Sequence, residues 1–394
     1  MSELQLLFLV LVVIYAWECA CWIQPGSVVL TSWFGRGWRV AHPGPLLANS
    51  RGGFLFAHPL PPLGTFLVTS QFPLTISPEA ILTWAVPNAG GGGQPVQTSK
   101  LFRFEEMRRI ESSGKKIRIN GELALSVATP MRASNLAQQL RELKDIAPPT
   151  RGKRIEKLVS AGLDGKTAEH RWQDFHIQTS VIRWLTNGLF VYLFALTPAL
   201  VWWLGLLRCW PWLLAGLLGF TITTSICFRR VHRKFYPEAK EERFTHFLTL
   251  LLSPATTIRS MDILSRPLFE AFHPLVPAKI LCREEEFSDY ARQMWLELNY
   301  PGSADRQQGT PAEVVERYWR AAVQHGVAAF LRQEGVNPDR LIRAPVPGDA
   351  NCRSYCPRCD AQFTLTEGVC EDCGGVALIA FGPPTAKGRM CKKI

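Results

Sequence analysis

"LFVYLFALTPALVWWLGLLRCWPWLLAGLLGFTITTSICF", residues 189–228, decides how the rest of the chain must be read. Its single charge is Arg208. At a rise of ~1.5 Å per residue, one helix of this length would be about twice as long as a bilayer's hydrocarbon core is thick. Two helices joined by a tight turn fit instead. The polar break "RCWP", 208–211, is where the turn is expected, giving spans at 189–208 and 211–228. Pro211 then falls in the first turn of the second span, where a missing N–H costs nothing. Trp202, Trp203, Trp210 and Trp212 gather around the break, as in the aromatic belt at a membrane interface.

Working outward, a second apolar run covers residues 4–23, "LQLLFLVLVVIYAWECACWI", about the ~20 residues needed for one crossing. No Lys or Arg precedes it and no small-x-small site follows it, so it reads as a retained helix and not as a cleaved signal. Glu18 lies close enough to its end to reach the interface. Cationic residues set the orientation: Arg229, Arg230, Arg233 and Lys234 follow the last span, and Arg171 and Arg183 precede the hairpin. Residues 24–188 and 229–394 are therefore expected in the cytoplasm, with the short N-terminus and the hairpin tip outside.

The bulk composition agrees with lipid contact. Of 394 residues, 47% are hydrophobic, including 13 Trp and 22 Phe, and the net charge of +11 calls for an anionic neighbour. Anionic lipid and nucleic acid both qualify. Among 11 cysteines, several lie in apolar runs and five crowd into residues 352–373, a placement that suits metal ligation in a reducing compartment better than disulfides.

Between the first span and the hairpin, residues 24–87 read as short strands and turns. The echo "AHPGPLL" (41–47), "AHPLPPL" (57–63) and "FHPLVP" (272–277) contains His42, His58 and His273, which are read as incidental to proline turns. A Gly-rich linker is expected at 88–99. In "KKIRINGELALSV", 115–127, Asn120-Gly121 supplies a type I′ hairpin. Helices are predicted from Thr129-Pro130 to Leu143, over 152–162 and over 167–187. Residues 229–345 read as mostly helical. Within them, "EAKEERFTHFLTLLLS" is amphipathic enough at its start to lie on a bilayer surface.

Some motifs tempt and fail. "SAGLDGKT", 160–167, lacks the first glycine and the preceding strand of a phosphate-binding loop. His170 and Asp174 share a helix face without His176, so two imidazoles are not presented to one metal. No nucleophile elbow or dinucleotide fingerprint occurs, and the sequence assigns no catalytic or cofactor-binding residue.

The one strong motif is "CPRCDAQFTLTEGVCEDCGG", 356–375. Cys356, Cys359, Cys370 and Cys373 form two Cys-x-x-Cys pairs, and Gly374 permits the turn after the second. Over about 350–382 the chain resembles a zinc ribbon, a small β-rich module in which two knuckles clamp one Zn²⁺. It departs from that pattern in its ten-residue spacer and in Asp360, where a glycine is common. The resemblance implies a structural metal, since four thiolates leave no open position for substrate. Iron held as in rubredoxin would use the same sulfurs. Cys352 is a spare thiol nearby.

Together these readings give a membrane protein of the α+β class. It has an N-terminal transmembrane helix, a β-rich cytoplasmic region, a transmembrane hairpin, a mostly helical cytoplasmic region and a C-terminal zinc ribbon. The expected role is that of a scaffold in a bacterial-type inner membrane, contacting lipids and docking another protein subunit through the ribbon. A membrane-bound enzyme with dispersed residues and a membrane-tethered nucleic-acid binder are the alternatives.

Overall fold

The computed structural model describes residues 3–20, 30–32, 38–40, 54–60, 64–70, 74–85, 98–127, 129–282, 284–302 and 310–381. The chain mixes α and β elements. Helix α1 (Glu3–Ala20) is followed by two antiparallel strand pairs, β1 (Leu30–Ser32) with β2 (Trp38–Val40) and β3 (Phe54–Leu60) with β4 (Gly64–Ser70). Two three-stranded antiparallel sheets come next. One joins β5 (Thr75–Ile76), β6 (Ala80–Ala85) and β7 (Thr98–Arg103); the other joins β8 (Ile110–Ser113), β9 (Lys116–Ile119) and β10 (Glu122–Ser126). The β9–β10 turn is the expected one, with Asn120 and Gly121 at φ 53° and 86°. The Asn120 side chain also binds the backbone amides of Arg108 and Arg109, which favours its left-handed conformation. Most of the Gly-rich stretch and His42 lie outside the described residues, while Thr98 and Ser99 already belong to β7.

Helix α2 (Pro130–Lys144) starts where the sequence indicates: Thr129 accepts from the Arg132 amide and Pro130 sits inside the first turn. Its Leu136, Leu140 and Leu143 close over Ile110, Ile117 and Ile119 of the second sheet, forming one core. Helices α3 (Pro148–Gly162) and α4 (Gly165–Gln178) meet at Asp164, whose carboxylate accepts from the Thr167 amide and hydroxyl. The phosphate-loop look-alike is thus a helix cap.

Helix α5 (Ser180–Leu204) follows after Thr179 and contains a wider π turn at Tyr192–Leu196. Gly205 separates it from α6 (Leu206–Phe235). These two helices are long and apolar enough to cross a membrane. The turn differs from the expected "RCWP". Gly205, at φ 79° and ψ 147°, adopts a conformation that only glycine takes readily, so the chain reverses there. Pro211 lies inside α6, one turn beyond the start, and withholds the i+4 donor from the Leu207 carbonyl.

Beyond α6 the chain is helical: α7 (Lys240–Leu252), α8 (Pro254–Ile258), α9 (Ser260–Ser265), α10 (Leu275–Leu281), α11 (Glu284–Asn299), α12 (Pro311–Gln333) and α13 (Pro338–Leu341). A second core, including Phe175, Phe228, Tyr236, Leu264, Phe269, Phe287 and Phe330, ties α4–α6 to these helices. One face of α11, with Phe287, Tyr290, Ala291 and Met294, and one face of α12, with Val323, Val327, Phe330 and Leu331, pack on this core. His273 is buried there. Its ring nitrogen accepts from the Leu275 amide, and burial pushes its pKa down to about 3, as for a neutral structural histidine.

Candidate metal centre

Short strands deliver the four cysteines. β11 (Ser354–Tyr355) pairs with both β12 (Gln362–Phe363) and β15 (Ile379–Ala380), and β13 (Val369–Cys370) pairs with β14 (Val376–Ala377). Cys356 leaves the end of β11 and Cys370 sits within β13, so the two pairs arrive from separate sheets. In the first knuckle the amides of Arg358 and Cys359 point at the Cys356 sulfur, and that of Ala361 at the Cys359 sulfur. A left-handed turn is required after each pair. Asp360 stands at φ 59°, and Gly374 and Gly375 at 70° and 80°. Asp is among the few side chains that tolerate this region, which explains why the usual glycine can be replaced.

All four sulfurs lie within 4.8 Å of one another, and Cys359 and Cys370 are 3.8 Å apart. Thiolates placed ~2.3 Å from a tetrahedral zinc would be separated by about 3.8 Å, so the donor set and its spacing fit the ion. The cysteines are free, and the 3.8 Å separation is nearly twice a disulfide bond of ~2.0 Å. Burial pushes the Cys356 thiol up to about 11 and, with the neighbouring sulfurs, raises Cys373 as well. A cation is what would allow all four to ionise together. Cys352 is not in this group. Its sulfur faces the Asp349 carboxylate at 3.5 Å.

The module packs against the helical part of the protein. Arg292 on α11 reaches the Asp360 carboxylate at 2.6 Å, and Tyr300 packs on the Cys356–Cys370–Val376 cluster. Gly302 passes so close to the second knuckle that a Cβ there would overlap the Gly374 carbonyl oxygen. Arg358 links the knuckles by donating to the Cys373 carbonyl at 3.0 Å. Elsewhere on the module Val346, Leu365 and Val369 are exposed.

A polar cluster invisible to motif reading lies at the start of α2. The Thr129 hydroxyl donates to Glu270 at 2.7 Å, and the Met131 amide donates to Glu242 at 3.0 Å. Arg132 is buried beside them, and one Glu270 oxygen has no hydrogen-bond partner among the described residues. Burial, reinforced by the Glu242 charge, raises the Glu270 pKa to about 7 despite Thr129 and Arg132. The only sequence signal was the Thr-Pro helix start, because the carboxylates come from 111 and 141 residues away. Elsewhere, Asp174 pairs with Lys234 rather than with His170.

Comparison with family models, characterised proteins and solved structures returns no match for this chain.

Proposed function

We propose that this protein is a membrane-anchored scaffold whose zinc-holding module docks a partner subunit at the cytoplasmic face of a bacterial-type inner membrane. The observation that carries this reading is the mounting of the four-cysteine module. The module contacts Arg292 of α11 and Gly302 just beyond that helix, and it presents Leu365 and Val369 to solvent. A closed thiolate site performs no chemistry of its own, whereas exposed apolar side chains on a metal-tied module are suited to protein contact.

Membrane anchoring is supported by the surfaces of α5 and α6, where Trp202, Trp203, Leu207 and Trp212 are all exposed. Exposed Trp184 lies 18 residues before Trp202, about 27 Å along a helix, which places an aromatic ring near each boundary of a ~30 Å core. Three spans are favoured over two by the packing of α1. Gln5 lies beside Gly205, and the Tyr15 ring is 6.3 Å from that of Phe194. Helix α1 therefore runs antiparallel to α5, with the N-terminus and the hairpin tip at one end and the Arg229–Lys234 cluster at the other. The positive-inside tendency assigns the second end to the cytoplasm.

Topology is tested by reporter fusions at residue 209 and at the C-terminus, which should give opposite signals. A periplasmic C-terminal signal would overturn both the orientation and the reduced-thiolate centre. The docking role is tested by metal analysis and co-purification. Protein prepared under reducing conditions should carry about one Zn per chain, and Cys370→Ser should release it. Replacing Cys356 and Cys359 together should remove a specific partner from detergent extracts while membrane insertion persists. An unchanged partner set would remove the docking role. Salt-sensitive nucleic-acid binding, or turnover lost on a point substitution outside the module, would favour the alternatives.

A further inference from the structure

Helix α7 exposes an apolar stripe beside Lys240 and Glu241 at its start and beside Thr245 and Thr249, whose hydroxyls bond back to the Glu241 and Thr245 carbonyls. Phe244, Leu248 and Leu252, spaced four apart on one stripe, are 65%, 39% and 81% exposed. The titratable side chains Glu242 and His246 face inward, and Leu250 is fully buried. A surface helix in water keeps such a stripe against a core.

The path of the chain explains this surface. Near the start of α7, Arg243 donates to the Tyr236 carbonyl at the end of α6. One turn later the His246 ring lies 6.0 Å from that of His232 and 6.1 Å from that of Phe228, and Phe247 lies under Arg229. Helix α7 thus descends antiparallel to α6, past the exposed cations Arg229, Arg230, Arg233 and Lys234. The helix ends at Leu252 with Ser253 as its cap, and the Ala255 amide next meets the hydroxyl of Tyr15 in the second half of α1. Helix α9 then climbs back, until the Leu264 carbonyl accepts from the Tyr236 hydroxyl at 2.7 Å. Entry and exit both meet the same tyrosine.

The backbone amides of the turn between descent and ascent are paired, from within the turn and from α1. The Ser253 amide bonds to the Thr249 carbonyl, and the Thr257 amide bonds to the Ser253 carbonyl. The Thr257 hydroxyl is shared between the Leu250 and Ser253 carbonyls, Ser253 caps the Thr256 amide, and Tyr15 takes the Ala255 amide. Non-helical backbone at membrane depth is tolerated only when its polar groups are paired in this way.

We propose that α7–α8–α9 is a re-entrant segment. It dips into the leaflet bordered by the Arg229–Lys234 cluster and turns back inside it, with Phe244, Leu248 and Leu252 against acyl chains. This rests on the membrane reading of α5 and α6 and goes beyond it. The occupant is lipid because the stripe continues the exposed apolar flank of α6 at Ile226, Ile222 and Leu218. The four cations beside the entry also match anionic headgroups. Leu252 lies six residues past His246, about 9 Å deeper, which is short of the midplane of a ~30 Å core.

The test places an environment-sensitive fluorescent amino acid, by codon reassignment, at 248 or 252 of the full chain. The protein is reconstituted in mixed phosphatidylcholine and phosphatidylglycerol vesicles. Position 218 on α6 is the lipid reference and position 240 the aqueous one. Acyl-brominated lipid should quench 248 and 252 to an extent comparable with 218, with 252 deeper than 248, while aqueous iodide quenches 240 alone. Iodide quenching at 248 and 252, with 218 still quenched by lipid, would overturn the re-entrant segment and leave the spans standing. Iodide quenching at 218 as well would overturn the membrane reading itself. Protection from both quenchers at 248 and 252 would mean that protein covers the stripe, which also defeats the proposal. Positions 248 and 252 report on the same stripe, so a label that prevents folding at one leaves the other decisive.

Discussion

Glu270 shows how one side chain can set the pH response of a whole core. It is 2% exposed and its pKa is raised from 4.5 to about 7, so the folded state holds its proton more tightly than the unfolded state. For an acid shifted this way the stabilisation is complete below about pH 4.5 and is lost as pH rises through about 7, by on the order of 3 kcal/mol. His273 acts oppositely: its lowered pKa means that stability falls as pH drops below its ordinary 6.5 toward about 3. Total stability therefore mixes the two, and the variant isolates one. Glu270→Gln keeps an acceptor for the Thr129 hydroxyl and removes the titration. We expect it to raise the melting temperature at pH 8 and leave it nearly unchanged at pH 4.5. An equal shift at both values would show that ionisation of Glu270 is not the cause. Neither residue could be ranked from sequence. Glu270 lies in "RPLFEAF" with no sign of Thr129 or Arg132 opposite, and His273 drew notice only for its proline neighbour. The cysteines were legible because each Cys-x-x-Cys pair is local chemistry, and the fold of two small sheets then brings all four sulfurs within 4.8 Å.

The same contrast holds for elements. The β9–β10 hairpin and the α2 start were readable because Asn120-Gly121 and Thr129-Pro130 act within a few residues. The turn between the apolar helices was placed at the polar "RCWP", yet the chain reverses at Gly205. Backbone freedom decided the site of the turn, while polarity and Pro211 were absorbed into α6. The seat of the metal module on α11 was unreadable for a further reason: it depends on the absence of a side chain at Gly302. That absence gives the element-scale prediction. In Gly302→Ala the new Cβ would collide with the Gly374 carbonyl oxygen, a backbone atom held in the knuckle turn. The two surfaces must separate, so cleavage by protease within 346–381 should quicken several-fold while bound metal stays near one per chain. Metal loss at unchanged proteolysis would mean that the seat and the site are not separable in this sense.

At the scale of the molecule, the packing divides into unequal parts. Among the described residues the two large cores contain most of the buried aromatic and aliphatic side chains, whereas the metal module rests on Cys356, Cys370 and Val376, with Tyr300 and a few half-buried neighbours. So small an apolar cluster cannot offset the conformational entropy of some thirty ordered residues, and thiolate–metal bonds must contribute the difference. The contacts that fix the module to the helical part are few. One is the Arg292–Asp360 pair, whose side chains are about a third exposed or more and which contributes at most about 1 kcal/mol. Unfolding of the module should therefore propagate little into α11 and less into α5 and α6. A strong chelator added to the detergent-solubilised protein is expected to abolish protection of residues 346–381 from amide exchange. Far-ultraviolet helical ellipticity and exchange in α5 and α6 should stay as they were. Restoring zinc should return the protection. Collapse of the helical signal on chelation would show instead that the metal centre is a keystone of the whole fold, and that its attachment through Arg292 and Gly302 transmits far more than these contacts imply.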